Sequence, residues 1–552
     1  MRLPLLRFPA FPGAAAAVID TTSTLSERVL APETIVSLFA AIRAARVGGA
    51  FWAPASAVQG APTIVRLRTR EDIDSVPAAL APAALWSMPA ALARDAAVHA
   101  RIDAARIVAT EIDPWSVLDR ATTLVAHGDD EWVALAAIAG CAVHLLSAGR
   151  FGAPGDDAAT LEARVASDLA QTACLDPFTG QTADSGAMIA WLGDLRQSFA
   201  ANHGLVAACG FSWWKRHEIA RFLWTPAHPL HFFWSEQRAI AHAARMGGAI
   251  AVWPSRVSAG LAAAAAARGV ALVRVEDGFV RSVGLGSNLV PPSSISIDRR
   301  GIHYDPTRAS DLEVLLAEGE FPPALLERAQ RLSATILAAG ISKYGGDAAH
   351  SFPERAVGKR LVLVAGQVED DQSVLLGGAG LTSNLEVLRR ARGLEPDAEI
   401  WFRPHPDVDA GHRKGAVRDD DALAHADRIV RGGTMARLLD LVDAVHVLTS
   451  LTGFEALLRG RAVTCHGVPF YAGWGLTRDL APIPDRRGRR LGLAELVAAV
   501  LIVYPRYLDP VTGLPCPPEV LIARMASGNA TNRLAWVTKL KQVQGRLTMG
   551  WL

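Results

Sequence analysis

The stretch Val447-Leu448-Thr449-Ser450-Leu451-Thr452-Gly453-Phe454-Glu455-Ala456-Leu457-Leu458-Arg459-Gly460 decides how this chain is read. It opens inside an apolar run, Ala444 to Leu448, with the signature of a buried parallel strand. It then turns through Ser, Thr and Gly into a short helix. A helix that starts this way points free backbone N–H groups and a partial positive charge above the strand, which makes a seat for a phosphate. The hydroxyls add donors. Thr452 and Glu455 stand three apart, so a simple capping box is the competing reading. The rest of the C-terminal half tips the balance toward the seat, because it places further polar groups at strand ends.

Leu361–Ala365 reads as a strand ending in Gly366-Gln367-Val368-Glu369-Asp370-Asp371, and Asn384–Arg392 as a helix. Glu399–Phe402 is a strand ending in Arg403-Pro404-His405-Pro406-Asp407. Ala462–Cys465 is another, running into His466 and the segment Pro469–Gly475. Upstream, Leu205–Cys209, Ala249–Trp253 and Val270–Val275 read as strands and Ser258–Arg268 as a helix. The last of these strands runs into Glu276-Asp277-Gly278. Ligands in open α/β sheets gather beyond strand C-termini, so Glu276 is a placed carboxylate. A linker over about 340–358 separates the two sets. The expected fold is α/β with two Rossmann-like lobes, 201–350 and 351–552, facing a cleft. That is the architecture of a GT-B glycosyltransferase, though a fold alone does not prove a function.

Composition sets limits. The chain has 552 residues, half of them hydrophobic and a fifth charged, with net charge +1. This is a globular composition with no footprint for bulk nucleic-acid binding. The five cysteines are scattered without a CxxC pair, which reads as reduced thiols in a cytosolic protein and not as a zinc site. Met1 to Asp20 lacks a sustained apolar run, so no signal peptide is expected. Ala259–Val273 is small and apolar but broken by Arg268, so it reads as a packed helix feeding a strand and not a membrane span.

Residues 1–200 alternate alanine-rich helical stretches with short apolar runs such as Ala121–Ala126 and Ala142–Leu146. Segments 60–68 and 105–111 are expected strands, and Ser23–Arg43 a loop followed by a helix. Two pieces of this region recur downstream. Val117–Val143 matches Leu438–Val463 with a one-residue gap, and Asp176–Gly180 matches Asp509–Gly513. In the first match Asp130 stands opposite Ser450, Leu135 opposite Glu455 and, further on, Phe151 opposite Tyr471. An aspartate on a phosphate seat repels the ligand. Residues 1–200 are therefore expected to be a degenerate, structural half-module.

The segments Glu276–Gly286, Gly366–Asp371, Arg403–Asp407, Thr449–Gly460 and Pro469–Gly475 resemble the KpsC/LipB capsular polysaccharide proteins. That resemblance covers about residues 205–525. It implies a β-Kdo glycosyltransferase that uses CMP-Kdo to build a Kdo linker on a phosphatidylglycerol lipid at the cytoplasmic face of the inner membrane. Members carry two GT-B modules, whereas this chain keeps one intact module and the half-copy. Both donor and product of the family are β-linked, so the implied reaction is retaining and proceeds by double displacement through a glycosyl-enzyme adduct.

On that reading Asp371 is the expected nucleophile, since Asp371-Gln372-Ser373 resembles the family's Asp-x-Ser. Asp370 is its rival, and at least one of Glu369–Asp371 is expected to cap the next helix. Glu276 is the expected acid/base, with an ion pair to Arg281 or Arg274 as the competing role. His405, fixed between prolines, is placed to hydrogen-bond the leaving phosphate. Ser450, Thr452 and Gly453 are expected to hold the CMP phosphate and Glu455 the ribose hydroxyls. Arg281 or Lys343 is expected to pair with the Kdo carboxylate. Tyr471 and Trp474 cover the ligand or join the core.

No metal or cofactor is expected beyond the CMP-Kdo donor. Expected partners are that donor, a lipid-linked or oligosaccharide acceptor, the inner membrane and capsule assembly proteins, in a cytoplasmic or peripheral location. The basic runs Asp485–Arg490 and Trp213–Arg216 read as solvated loops or as contacts to anionic lipid. Two other readings stand beside this one: transfer of another CMP-linked ulosonate, and a non-catalytic scaffold in capsule assembly or export.

Overall fold

Short apolar runs bounded by polar turns become the parallel strands of this fold. The computed structural model describes residues 4–12, 31–58, 60–109, 111–172, 174–280, 291–341 and 351–527. The chain divides into two units, Met1–His203 with Leu223–Pro229, and Gly204–Phe222 with Leu230–Leu552.

The first unit holds strands β1 (Thr63–Arg66), β2 (Ala84–Ser87), β3 (Ile107–Val108), β4 (Thr123–Ala126) and β5 (Ala142–Leu145), in the order β3-β2-β1-β4-β5. All pairs are parallel. The strands are shorter than the expected 60–68 and 105–111, because only the central residues find a neighbouring strand. The helix Glu131–Ala139 buries every residue from Trp132 to Ile138, so it lies inside this unit with no polar face. Of the expected loop and helix Ser23–Arg43, the described part is the helix Pro32–Ala45, and residues 13–30 lie outside the described residues. A hairpin, β6 (Cys174–Leu175) and β7 (Thr182–Ala183), follows.

The second unit begins with β8 (Leu205–Cys209), β9 (His231–Phe233), β10 (Ala249–Val252), β11 (Leu272–Asp277) and β12 (Ser294–Asp298). It continues with β13 (Leu361–Ala365), β14 (Glu399–Arg403), β15 (Arg428–Ile429), β16 (Ala444–Val447), β17 (Ala462–Cys465) and β18 (Arg478–Asp479). These last six form one sheet, β15-β14-β13-β16-β17-β18, all parallel. Its order is that of a dinucleotide-binding sheet, and its first five strands repeat the order seen in the first unit.

The chain then returns. Strands β19 (Pro505–Leu508) and β20 (Pro515–Cys516) join the earlier sheet, whose order is β20-β19-β12-β11-β10-β8-β9. β12 runs antiparallel to both β11 and β19. Conversely, Leu312, Leu316, Leu332 and Ile336 of the helices Asp311–Glu318 and Pro323–Ala338 share a core with Leu361, Leu363 and Val445 of the later sheet. The boundary expected at residue 350 is therefore crossed in both directions: the edge of β12 needs a strand partner, and the leucine faces of the two helices need burial.

Of the two roles left open for Tyr471 and Trp474, both side chains take the core one and are fully buried. The run Asp485–Arg490 is mostly exposed, but its arginines are not simply solvated. Arg486 and Arg487 both pair with the buried Glu313, and Arg487 also donates to the carbonyls of Pro469 at 2.7 Å and Ala472 at 3.0 Å. All five cysteines are free, and no helix among the described residues is long and apolar enough to cross a membrane.

Candidate active site

A cavity of about 560 Å³ lies in the second unit, beyond the C-terminal ends of β11, β13, β14 and β16. Glu276, Asp371, His405, Ser450, Thr452 and Glu455 all line it. Residues separated by up to 179 positions in the chain thus converge, because parallel strands deliver their ends to one side of a sheet. Arg281 and Lys343 lie outside the described residues.

At the seat, Ser450 is the N-cap of the helix Leu451–Leu458, and its Oγ accepts from Thr452 N at 3.2 Å. Thr452 is therefore inside the helix, and the alternative Thr452/Glu455 capping box does not form. Glu455 turns to the cavity instead. Gly453 has a different task from the expected one. It does not line the cavity; a Cβ there would land on the Tyr471 hydroxyl, which donates to the Ser450 carbonyl. Gly453 makes room for a brace under the loop. Behind it, the Gln367 side chain donates to Thr449 Oγ1 at 3.0 Å and accepts from Thr449 N at 2.8 Å, tying the ends of β13 and β16 together.

The three acids after β13 separate cleanly. Glu369 Oε1 accepts from Asn384 N at 2.8 Å. Asp370 is ion-paired with Arg413 at 3.0 Å on the surface, and does not line the cavity. Asp371 caps the helix Gln372–Gly377, its Oδ1 accepting from Ser373 N at 2.9 Å and Ser373 Oγ at 2.8 Å. Its Oδ2 has no hydrogen-bond partner among the described residues, and the side chain faces the cavity. The cap fixes one oxygen and presents the other.

Glu276 is the penultimate residue of β11, opposite Ser296, and not a residue just past the strand as expected. Burial first, then the neighbouring Asp277 and Asp371 carboxylates, push its pKa up to about 7, against the opposing pull of Lys215. It has no ion pair with Arg274 among the described residues. Lys215 is buried, 3.0 Å from Asp277 Oδ1 and 3.5 Å from the Trp253 ring centroid. It is a wall of the cavity and not part of a surface patch. His405 caps the helix Pro406–Asp409; its Nδ1 accepts from Asp407 N at 3.2 Å, which leaves the ring proton on Nε2.

Residues 248–507 match the family described as capsule polysaccharide biosynthesis protein. The solved Thermosulfurimonas dismutans KpsC, beta Kdo 2,4 transferase, is 33% identical, with 59% of this chain and 98% of that one covered and a TM-score of 0.50. Its beta Kdo 2,7 counterpart is 34% identical over 59% of this chain and 99% of that one, with a TM-score of 0.49. This chain belongs to the KpsC/LipB-type capsule polysaccharide family. The capsule polysaccharide modification protein LipA of Neisseria meningitidis is 40% identical over 338 residues, 61% of this chain and 48% of LipA. The lipopolysaccharide-processing protein LpsZ of Rhizobium meliloti is 47% identical over 244 residues, 43% of this chain and 54% of LpsZ. The chain spans about half the length of these curated relatives.

The first unit of this family member keeps the frame of the seat and fills it. Asp130 caps the helix Glu131–Ala139 as Ser450 caps its own, accepting from Trp132 N at 3.0 Å. Arg66, at the end of β1, lies 2.8 Å from Asp130 Oδ2 and stacks over Trp132 at 4.4 Å. The corresponding end of β13 is Ala365. The Asp130 carboxylate thus stands at this helix start where an anion would, and Arg66 balances its charge. The repeated turn is also preserved: Gly180 N donates to Asp176 O and Gly513 N to Asp509 O, each at 2.8 Å, with φ of +70° and +71°.

Sequence reading missed Lys215, Asp277, Gln367 and Tyr304 as parts of the site. Asp277 adjoins Glu276, which was a usable signal. Gln367 lies within the quoted segment Gly366–Asp371 and Lys215 within Trp213–Arg216, whereas Tyr304 reaches the cavity from a turn with no motif of its own.

Proposed function

We propose that this cleft transfers Kdo from CMP-Kdo to a glycolipid acceptor in capsular polysaccharide biosynthesis and export, with retention of configuration. The observation that carries the reading is the joint presence of Asp371 Oδ2, Glu276 and the Ser450 helix start on one cavity. The similarity to a KpsC Kdo transferase across nearly all of that chain supports the choice of sugar.

In the first step Asp371 Oδ2 attacks the anomeric carbon and the bond to the CMP oxygen breaks, the electron pair leaving with CMP. Backbone N–H groups at Ser450 and Leu451 hold the phosphate and His405 Nε2–H steadies its growing charge. Glu455 takes the ribose hydroxyls. In the second step the acceptor hydroxyl attacks the same carbon, Glu276 accepts its proton and Asp371 is released. A group of pKa near 7 is suited to taking up and returning that proton. The reading places the protein in the cytoplasm or at the inner face of the membrane that carries the acceptor.

Intact-protein mass spectrometry after incubation with CMP-Kdo and no acceptor tests this. One added Kdo, mapped to the peptide carrying Asp371, is expected. CMP release without an adduct, or an adduct elsewhere, rejects the mechanism. An adduct from a different CMP-ulosonate and none from CMP-Kdo changes the sugar. The absence of any turnover supports a scaffold.

A further inference from the structure

Tyr304 carries a hydroxyl that the mechanism above leaves unused. Its Oη is shielded from solvent and has no hydrogen-bond partner among the described residues. Cores rarely keep such a group, because the bonds it made to water are lost and nothing replaces them. The residue lines the cavity together with Glu276 and Asp371. Burial, then the negative charges of Glu276 and Asp371, push its ionisation well above the ordinary phenol range, so it stays neutral and keeps its proton.

The position is firmly set. Tyr304 follows β12, and its ring stands edge-on to His303 at 5.2 Å, which in turn packs on Phe279 at 4.9 Å. Its backbone carbonyl lies 3.4 Å from where a Cβ on Gly377 would be, so both lobes confine it. The proton on Oη is thus held beside two carboxylates without bonding to a protein partner.

A sugar with a carboxylate on its anomeric carbon brings a further negative charge among Glu276, Asp277 and Asp371. Lys215 is already engaged with Asp277 and Trp253. A neutral O–H donor can bind that carboxylate without taking a proton from the acid/base pair. We propose that Tyr304 Oη donates a hydrogen bond to the carboxylate on the anomeric carbon of the donor sugar, and so selects ulosonates over aldoses. This rests on the CMP-ulosonate reading given above.

Calorimetry in an Asp371→Asn background, which blocks turnover, tests it. Adding Tyr304→Phe is expected to weaken CMP-Kdo binding about tenfold or more, to leave CMP binding unchanged, and not to lower Tm. CMP has no sugar carboxylate, so it separates this contact from a general loss of shape. Equal CMP-Kdo affinity with and without the hydroxyl overturns the proposal, as does a parallel loss of CMP affinity. The parent reading is judged separately: wild-type protein that turns over no CMP-ulosonate removes it and this proposal together. Turnover by wild-type protein with unchanged CMP-Kdo binding on Tyr304→Phe sinks this proposal alone.

Discussion

The ammonium of Lys215 stands 3.0 Å from Asp277 Oδ1, over the face of Trp253 and next to Glu276. Its field opposes the burial and the two carboxylates that raise Glu276. Lys215→Met therefore sends the Glu276 pKa higher still. The acid limb of the kcat/KM profile moves to higher pH, and activity at pH 7 falls while activity at pH 9 is less affected. Removing one partner of a buried pair also costs stability, about 3 kcal/mol, readable by denaturant melts.

Glu276→Gln separates catalysis from stability. Loss of the acid/base group lowers kcat by about 10²–10⁴-fold. Stability changes in the opposite direction. A carboxyl raised from 4.5 to about 7 on folding costs the native state its full penalty above pH 7 and nothing below pH 4.5. The variant should gain up to about 3 kcal/mol at pH 8 and nothing at pH 4. A gain that is the same at both values would argue against a raised pKa.

Asp371→Asn and Asp370→Asn should diverge. Asparagine still caps a helix, so Asp371→Asn is expected to stay within about 0.5 kcal/mol of wild type while losing all covalent adduct. Asp370 sits in an exposed pair with Arg413, and such pairs contribute little. Asp370→Asn should retain near-normal turnover in a coupled CMP-release assay.

Gly453 and Tyr471 form a matched pair, and the first unit has the opposite match. There the aligned positions are Val133 and Phe151, both buried. Gly453→Ala pushes a methyl into the Tyr471 hydroxyl and should cost about 1–3 kcal/mol by overpacking, with weaker CMP binding because the brace under Ser450 moves. Tyr471→Phe in the same chain should recover part of that loss, since the added methyl still meets the ring edge once the hydroxyl is gone. A double-mutant cycle with no coupling would reject the pairing.

Arg66→Ala leaves the Asp130 carboxylate at the helix start of the first unit without its guanidinium. The expected cost is about 3 kcal/mol or more, with transferase activity unchanged at temperatures where the protein stays folded. New CMP binding to this variant would mean the first unit retains a nucleotide site, and calorimetry checks it.

Much of the frame was legible because parallel strands are apolar runs that stop at polar turns. Leu205–Cys209, Leu361–Ala365 and Ala462–Cys465 have the bounds that periodicity implies. Asp371, His405 and Ser450 were legible for the same reason, as polar residues just past such ends. Gly453 was misread, because a glycine that admits a ligand and one that admits a tyrosine look alike in sequence. The buried role of Arg487 was hidden too, since its partner Glu313 lies 174 residues away.

Local chemistry was enough to place several strand ends and helix starts, since each depends on residues within a few positions of one another. Which of Glu369, Asp370 and Asp371 faces the cavity, the raised pKa of Glu276 and the isolation of the Tyr304 hydroxyl came only with tertiary packing. Those properties depend on which distant groups share a low-dielectric cavity, and distance in space is not written along the chain.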